Sequence, residues 1–256
     1  MNADPHLRSD MTMKKFEVQL SGLSIPCAVR FPETERYFRE FAPKAELCAN
    51  SAPLLCPEQA EIPEKDWNSA LEFGMLDCPH TEYTVLTAYF SDILLRYHRV
   101  ILHGVALLYQ EEAYLICADS GVGKSTQARI LQELRPGEFE VICGDRPILR
   151  FNDLNDQITV HPSPWNGKEN WGSGCTAPLA ALILLERGAE NQIAPLTIRD
   201  AVVPMYTHFI HTGWEPENIQ QVAAMESKLL SAVSLWKLTT HDVPNSTKML
   251  LERLFS

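Results

Sequence analysis

Residues 118–126, Ala-Asp-Ser-Gly-Val-Gly-Lys-Ser-Thr, stand between an apolar run and a stretch with helical spacing. A glycine-rich loop in that setting turns successive backbone N–H groups, and the positive end of the next helix, toward one point. That arrangement suits phosphate. The usual pattern is Gly-x-x-x-x-Gly-Lys-Ser/Thr. Here Ala118 takes the place of the first glycine, while Gly121, Gly123, Lys124 and Ser125 are present. Ala118 costs little if its backbone is extended, as at a strand end. The pattern predicts that Asp119, Ser120, Gly121, Val122, Gly123, Lys124, Ser125 and Thr126 hold a nucleoside triphosphate, ATP or GTP. Lys124 would neutralise charge between the β- and γ-phosphates, and the Ser125 hydroxyl would face Mg²⁺. A metal-bound triphosphate also calls for a carboxylate at a neighbouring strand end. Asp145, which follows the apolar run 141–143, fits; the plainer alternative is a turn aspartate capping Arg146-Pro147. Asp153 and Asp156 read as turn residues.

The order of elements around this loop sets the fold class. Two apolar runs, 104–109 and 114–118, flank the polar residues 110–113 and read as a hairpin whose second strand enters the loop. A helix over 124–134 ends at Pro136-Gly137, and a strand over 140–143 reaches Gly144-Asp145. Residues 148–151 and 157–161 suggest a second hairpin turning at 152–156, followed by a loop over 162–178. The apolar run 179–185 reads as a strand buried on both faces. Helices are expected over 199–211, 216–231 and 246–254, with a strand over 235–238. Ordinary nucleotide-hydrolysing domains alternate strand and helix around a parallel sheet. This chain instead predicts an α/β (α+β) fold with a mixed, largely antiparallel sheet, a phosphate-binding loop and flanking helices.

Upstream, residues 1–13 read as a polar arm and 14–31 as a hairpin on Ser21-Gly22. Pro43, Pro53, Pro57 and Pro63 predict short elements and loops over 42–69 and argue against long regular helices there. Over 82–100, Leu86, Tyr89, Phe90, Ile93, Leu94 and Tyr97 recur at three and four, predicting an amphipathic helix. The division this suggests is a small β-rich region over 1–80 and a nucleotide-binding domain over 81–256.

A net charge of −11 argues against a broad nucleic-acid-binding face and against docking on anionic membranes. The polar first fifteen residues lack the apolar core of a secretory signal, and no apolar run reaches membrane-spanning length. Seven dispersed cysteines without a Cys-x-x-Cys pair read as free thiols in a reducing compartment, so a cytoplasmic location is expected and structural zinc is not. A homo-oligomer is compatible with the sequence.

Taken together, His103-Gly104-Val105, the hairpin, Asp119 to Ser125 and Gly144-Asp145-Arg146 resemble the C-terminal domain of HPr kinase/phosphorylase. That domain shares its fold with phosphoenolpyruvate carboxykinase. Pro164-Trp165-Asn166-Gly167-Lys168-Glu169-Asn170, then 178–188 and Asn191, resemble the HPr-kinase-related proteins often associated with modified-peptide biosynthesis. The resemblance covers about residues 95–255. It implies a Mg²⁺- and ATP-dependent kinase acting on a hydroxyl of a peptide, protein or small molecule. It also implies that His103 and Asp145 sit near the transferred phosphate, His103 orienting or deprotonating the acceptor or holding the carboxylate. Two departures stand out. HPr kinase carries adjacent aspartates where this chain has Gly144-Asp145, and its downstream glycine-rich signature is missing, so HPr itself is not the expected substrate.

Lys168 either stabilises charge on the transferring phosphoryl group or is a solvated loop lysine. Trp165 either stacks on a base or peptide or plugs the core. Arg146 and Arg150 read first as surface ion-pairing residues. The alternative to a kinase is a non-catalytic or slowly hydrolysing nucleotide-binding module. A carboxykinase would need further metal ligands and substrate arginines, of which no clear set is present.

Overall fold

The computed structural model describes residues 13–47, 52–72, 78–152, 155–212 and 216–255. Strands β1 (Lys14–Leu20) and β2 (Leu23–Val29) form the expected opening hairpin. Its turn residues Ser21 and Gly22 have φ of 48° and 78°, the left-handed pair whose twist matches two antiparallel strands. Helix α1 (Thr34–Leu47) follows, then β3 (Leu54–Leu55), parallel to β2, and α2 (Glu64–Glu72). The proline-based expectation for 42–69 therefore fails in part, because α1 continues through Pro43. That proline removes one intrahelical donor, but burial of Phe38 and Phe41 on the same helix outweighs the loss. Pro63 precedes α2, where it accepts from the N–H groups of Asp66 and Trp67 and no donor is required of it.

Helix α3 (Pro79–Arg96) buries Leu86, Phe90, Ile93 and Leu94, the stripe that its spacing predicted. It stops short of residue 100: His98 turns at φ 58°, and the chain enters β4 (Arg99–Ile101). Strands β5 (Gly104–Tyr109) and β6 (Glu112–Cys117) form the second hairpin on Gln110 and Glu111, at φ 48° and 67°. Then come α4 (Lys124–Leu134), β7 (Phe139–Cys143), β8 (Ile148–Phe151) and β9 (Ile158–His161). Residues 153–154 of the turn before β9, Asp153 included, lie outside the described residues. The chain closes with β10 (Ala177–Arg187), β11 (Gln192–Pro195), α5 (Ile198–Tyr206), α6 (Pro216–Ala232), β12 (Ser234–Thr240) and α7 (Val243–Leu254). Helix α5 ends earlier than expected, at 206, and Phe209 bridges to Leu102 instead.

The large sheet has the order β11-β12-β10-β6-β5-β7, and β4-β8-β9 joins it where β9 pairs with Ala177 and Pro178 of β10. Among the described residues, β10 has parallel neighbours on both sides, β6 and β12, whereas most other ladders are antiparallel. This is the mixed, largely antiparallel α/β architecture that the order of elements predicted. The parallel pair explains why β10 reads as an unbroken apolar run.

Three apolar clusters hold these layers. Helices α4 and α7 cover one face through Ala128, Leu131 and Leu250 against Val105, Ile116 and Ile183. Helices α5 and α6 cover the other through Met205, Val222 and Leu229 against Ala106, Leu115 and Leu182. The third cluster joins Leu20, Ile25 and Phe38 of the N-terminal elements to Leu86 and Phe90 of α3, and to Ile148 and Trp165 beyond it. No described helix is long and apolar enough to cross a membrane.

Strand β9 places one polar group at a cost. His161 is buried, and among the described residues its Nε2 has no hydrogen-bond partner. Burial, with Arg150 and Arg99 nearby, pushes its pKa down to about 3. An unfolded imidazole titrates near 6.5, so between about 3 and 6.5 the unfolded chain binds the extra proton and stability rises with pH. Denaturant unfolding is expected to show about 3 kcal/mol lost to this group between pH 7 and pH 4. His161→Leu should flatten that slope, and an unchanged slope would refute the assignment.

Candidate active site

The glycine loop is built where β6 ends. Ala118 is buried and directly follows the last residue of β6. Gly121 has φ 79° and Gly123, the residue before α4, has φ 123°, a region that side chains avoid. Helix α4 begins at Lys124 with no side-chain cap, so its first-turn N–H groups face the loop. Ser125 is half-buried in that turn, while Asp119, Ser120 and Thr126 are exposed.

Lys124 is buried at 8% exposure, and its ammonium donates to the Ala118 carbonyl at 2.8 Å and the Asp119 carbonyl at 3.3 Å. Burial lowers its pKa, and Asp145, Cys117 and Asp119 oppose that shift. A buried cation supported mainly by carbonyl dipoles gains from an anion brought into the loop.

Asp145 approaches the loop from the end of β7. The chain crosses itself there, with Gly144 N–H donating to the Trp171 carbonyl at 3.0 Å and Arg146 N–H to the Trp165 carbonyl at 3.1 Å. A Cβ on Gly144 would lie 2.7 Å from the Asn166 carbonyl oxygen, so this crossing requires glycine. Gly104 N–H donates to the Asp145 carbonyl at 2.8 Å and ties β5 to the same point. The Asp145 carboxylate stands 3.4 Å from His103 Nε2 by one oxygen and 3.3 Å from Arg146 Nε by the other. Arg146 also donates from Nη1 to the Thr87 hydroxyl at 2.6 Å. It thus forms the ion pair that its sequence reading put first and is in addition anchored to α3. Arg150 stands apart on β8, opposite Arg99.

His103 lies between β4 and β5, its N–H held by the His208 carbonyl at 2.8 Å. His208 is a residue that sequence reasoning missed. Its ring is buried 6.2 Å from that of His103, and burial, with His103 and Lys124 nearby, lowers its pKa to about 4 despite the opposing Asp119 charge. A lone histidine just past a helix gives no pattern that would reveal it.

The loop over 164–170 forms the outer wall. Trp165 is a core plug: it is 3% exposed, its Nε1 donates to the Tyr83 carbonyl at 2.9 Å, and its ring packs on Phe38 and Phe90. Gly167 passes over Asp145 at φ 74°, its would-be Cβ 3.1 Å from the Asp145 Cβ. Lys168 is exposed and lines a cavity of about 450 Å³ together with Asp145 and Arg146. The structure thus gathers Lys124, Asp119, His103 and Asp145 around one centre, with Lys168 on the outer side of Asp145.

No protein-family model matches this sequence, and no curated protein sequence matches it. Among solved structures, the Hpr(Ser) kinase/phosphatase from Coxiella burnetii is similar over 60% of this chain and 97% of that chain, with 12% identity and a TM-score of 0.32. At those values the likeness is remote, and the site is read from its own geometry.

The crossing at Gly144 supplies a test of that geometry. Gly144→Ala should drive the 164–171 segment off Asp145, lowering unfolding free energy by about 1–3 kcal/mol. Tryptophan fluorescence should report displacement of Trp165 and Trp171; an unshifted spectrum with wild-type stability would contradict it.

Proposed function

We propose that this protein is an ATP- and Mg²⁺-dependent kinase that transfers the γ-phosphoryl group to a hydroxyl, a serine of a peptide or protein or that of a small molecule. The observation that supports it best is the pairing of two unlike groups at one place. Buried Lys124 lies within electrostatic reach of Asp145, whose carboxylate is 3.4 Å from His103 Nε2. The cytoplasmic location expected from the cysteines belongs to the same proposal.

In this reading residues 119–126 cradle the triphosphate and Lys124 balances charge as the β–γ bridge oxygen takes it up. Ser125 and Asp145 would hold Mg²⁺, which neutralises phosphate charge. Among the described residues no group of three His, Cys, Asp or Glu side chains is arranged to hold a metal ion by itself, so Ser125 and Asp145 would fit a cation that is bound together with the phosphates. The acceptor hydroxyl attacks the γ-phosphorus, the bond to the bridging oxygen breaks, and the hydroxyl proton passes to His103 Nε2. Asp145 then faces the imidazolium and stabilises it. Lys168 would offset charge on the transferred group from the acceptor side.

A second reading, a nucleotide-binding module without turnover, draws on one observation: Arg146 already engages an oxygen of Asp145, the carboxylate on which both roles converge. Labelled ATP with Mg²⁺ and hydroxyl acceptors separates the two. Lys124→Ala and Asp145→Ala are each expected to lower phosphoryl transfer at least about 100-fold. His103→Ala should lower kcat about 10²–10⁴-fold while leaving nucleotide affinity nearly unchanged. Tight nucleotide binding with no transfer to any acceptor would favour the module.

A further inference from the structure

The cavity beside Asp145 is not made by the nucleotide-binding elements alone. One wall is the 164–170 loop, which carries Lys168. The opposite wall comes from α1 and the start of α3. Tyr37 stands there with its ring centroid 4.9 Å from Tyr83 and 6.0 Å from His80, and Glu40 lies one turn further along α1. Tyr83 Oη donates to the Pro164 carbonyl at 2.5 Å, and the Tyr83 carbonyl accepts from Trp165 Nε1. The two walls are therefore fastened to each other rather than merely adjacent.

From this arrangement we propose that the cavity is the acceptor subsite. The N-terminal unit would thus take part in substrate recognition, through Tyr37. The inference rests on the kinase reading for the word acceptor, while the binding it predicts stands apart from catalysis. Asp145 lines the cavity and its other side meets His103, so a hydroxyl entering from the cavity meets the carboxylate that pairs with His103. The volume of about 450 Å³ lies within the range of small-ligand pockets, room for two or three residues of an extended chain and not for a folded domain. An aromatic wall facing the 167–170 loop favours a flat or bulky apolar group beside that hydroxyl, with main-chain amides turned toward Asn170. The ligand class is accordingly a hydroxyl flanked by an aromatic or large aliphatic group, carried on a short flexible peptide or on a small molecule.

The test uses the full chain with Mg²⁺ and β,γ-imido-ATP, and three probes: N-acetyl-Phe-Ser-Phe-amide, N-acetyl-Gly-Ser-Gly-amide and L-phenylalaninol. Calorimetry is expected to show the Phe-Ser-Phe peptide binding at least tenfold more tightly than the glycine peptide. Tyr37→Ala should weaken it at least tenfold, and Tyr37→Phe should preserve it. Thermal melts within a few degrees of wild type show that Tyr37→Ala still folds. Tighter binding of phenylalaninol than of the peptide would assign a small molecule as the source of the same chemistry. Equal binding to Tyr37→Ala, or no binding of either aromatic probe, overturns the proposal. With ATP in place of the analogue, probe binding without phosphoryl transfer leaves the subsite standing and counts against the kinase reading; transfer that is indifferent to Tyr37 does the reverse.

Discussion

Three backbone hydrogen bonds at residues 144–146 tie the parts of the site to one another: Gly144 N–H to Trp171, Arg146 N–H to Trp165, and Gly104 N–H to the Asp145 carbonyl. Each comes from a different direction. The first two hold the outer loop on the end of β7, and the third holds β5 there, next to His103. A side chain at 144 would disturb the first two, because the Asn166 carbonyl oxygen occupies the space a Cβ needs. Backbone groups buried at such a crossing must be paired or they cost free energy, so the crossing is also a folding constraint. The orientation of the Asp145 carboxylate follows from it.

Electrostatics then distinguishes the two sides of Asp145. On the inner side, Lys124 and His208 are buried, and burial disfavours the charged form of each. Loop carbonyls satisfy the lysine only in part, which leaves a site whose free energy improves when anionic oxygens arrive. On the outer side, Arg146 is neutralised by Asp145 and anchored on Thr87, while Lys168 faces open space. Lysine side chains thus stand on both sides of the carboxylate, Lys124 buried and Lys168 exposed.

The N-terminal elements gain meaning from α3. Its Tyr83, Phe90 and Thr87 side chains reach Trp165, Phe38 and Arg146, so one helix touches the N-terminal core, the outer loop and the charged centre. Ring contacts between Phe38 and Trp165 make the apolar cluster continuous across that boundary. The N-terminal strands and helices bury part of their apolar surface in this shared cluster, where a set of elements of that size alone would bury little.

Local chemistry was legible in the sequence wherever the signal is local. The glycines at 121 and 123, the apolar strand before them and the helix after them announce the loop, because left-handed backbone and helical spacing leave marks on neighbouring residues. The turn at 21–22, the hairpin around 110–113 and the doubly buried β10 were readable for the same reason, although β6 starts at Glu112 and leaves only 110–111 in the turn. Pro43 misled, since a proline's local cost says nothing of Phe38 and Phe41 packing that offsets it. Only the tertiary structure decided that His208 backs His103, that Arg146 is anchored inward, that Trp165 is a plug and not a stacking surface, and that α1 helps to wall a cavity beside Asp145. Those facts depend on contacts between residues tens of positions apart. Such contacts leave no period or spacing in the chain, because what selects them is shape and burial after the sheet has assembled.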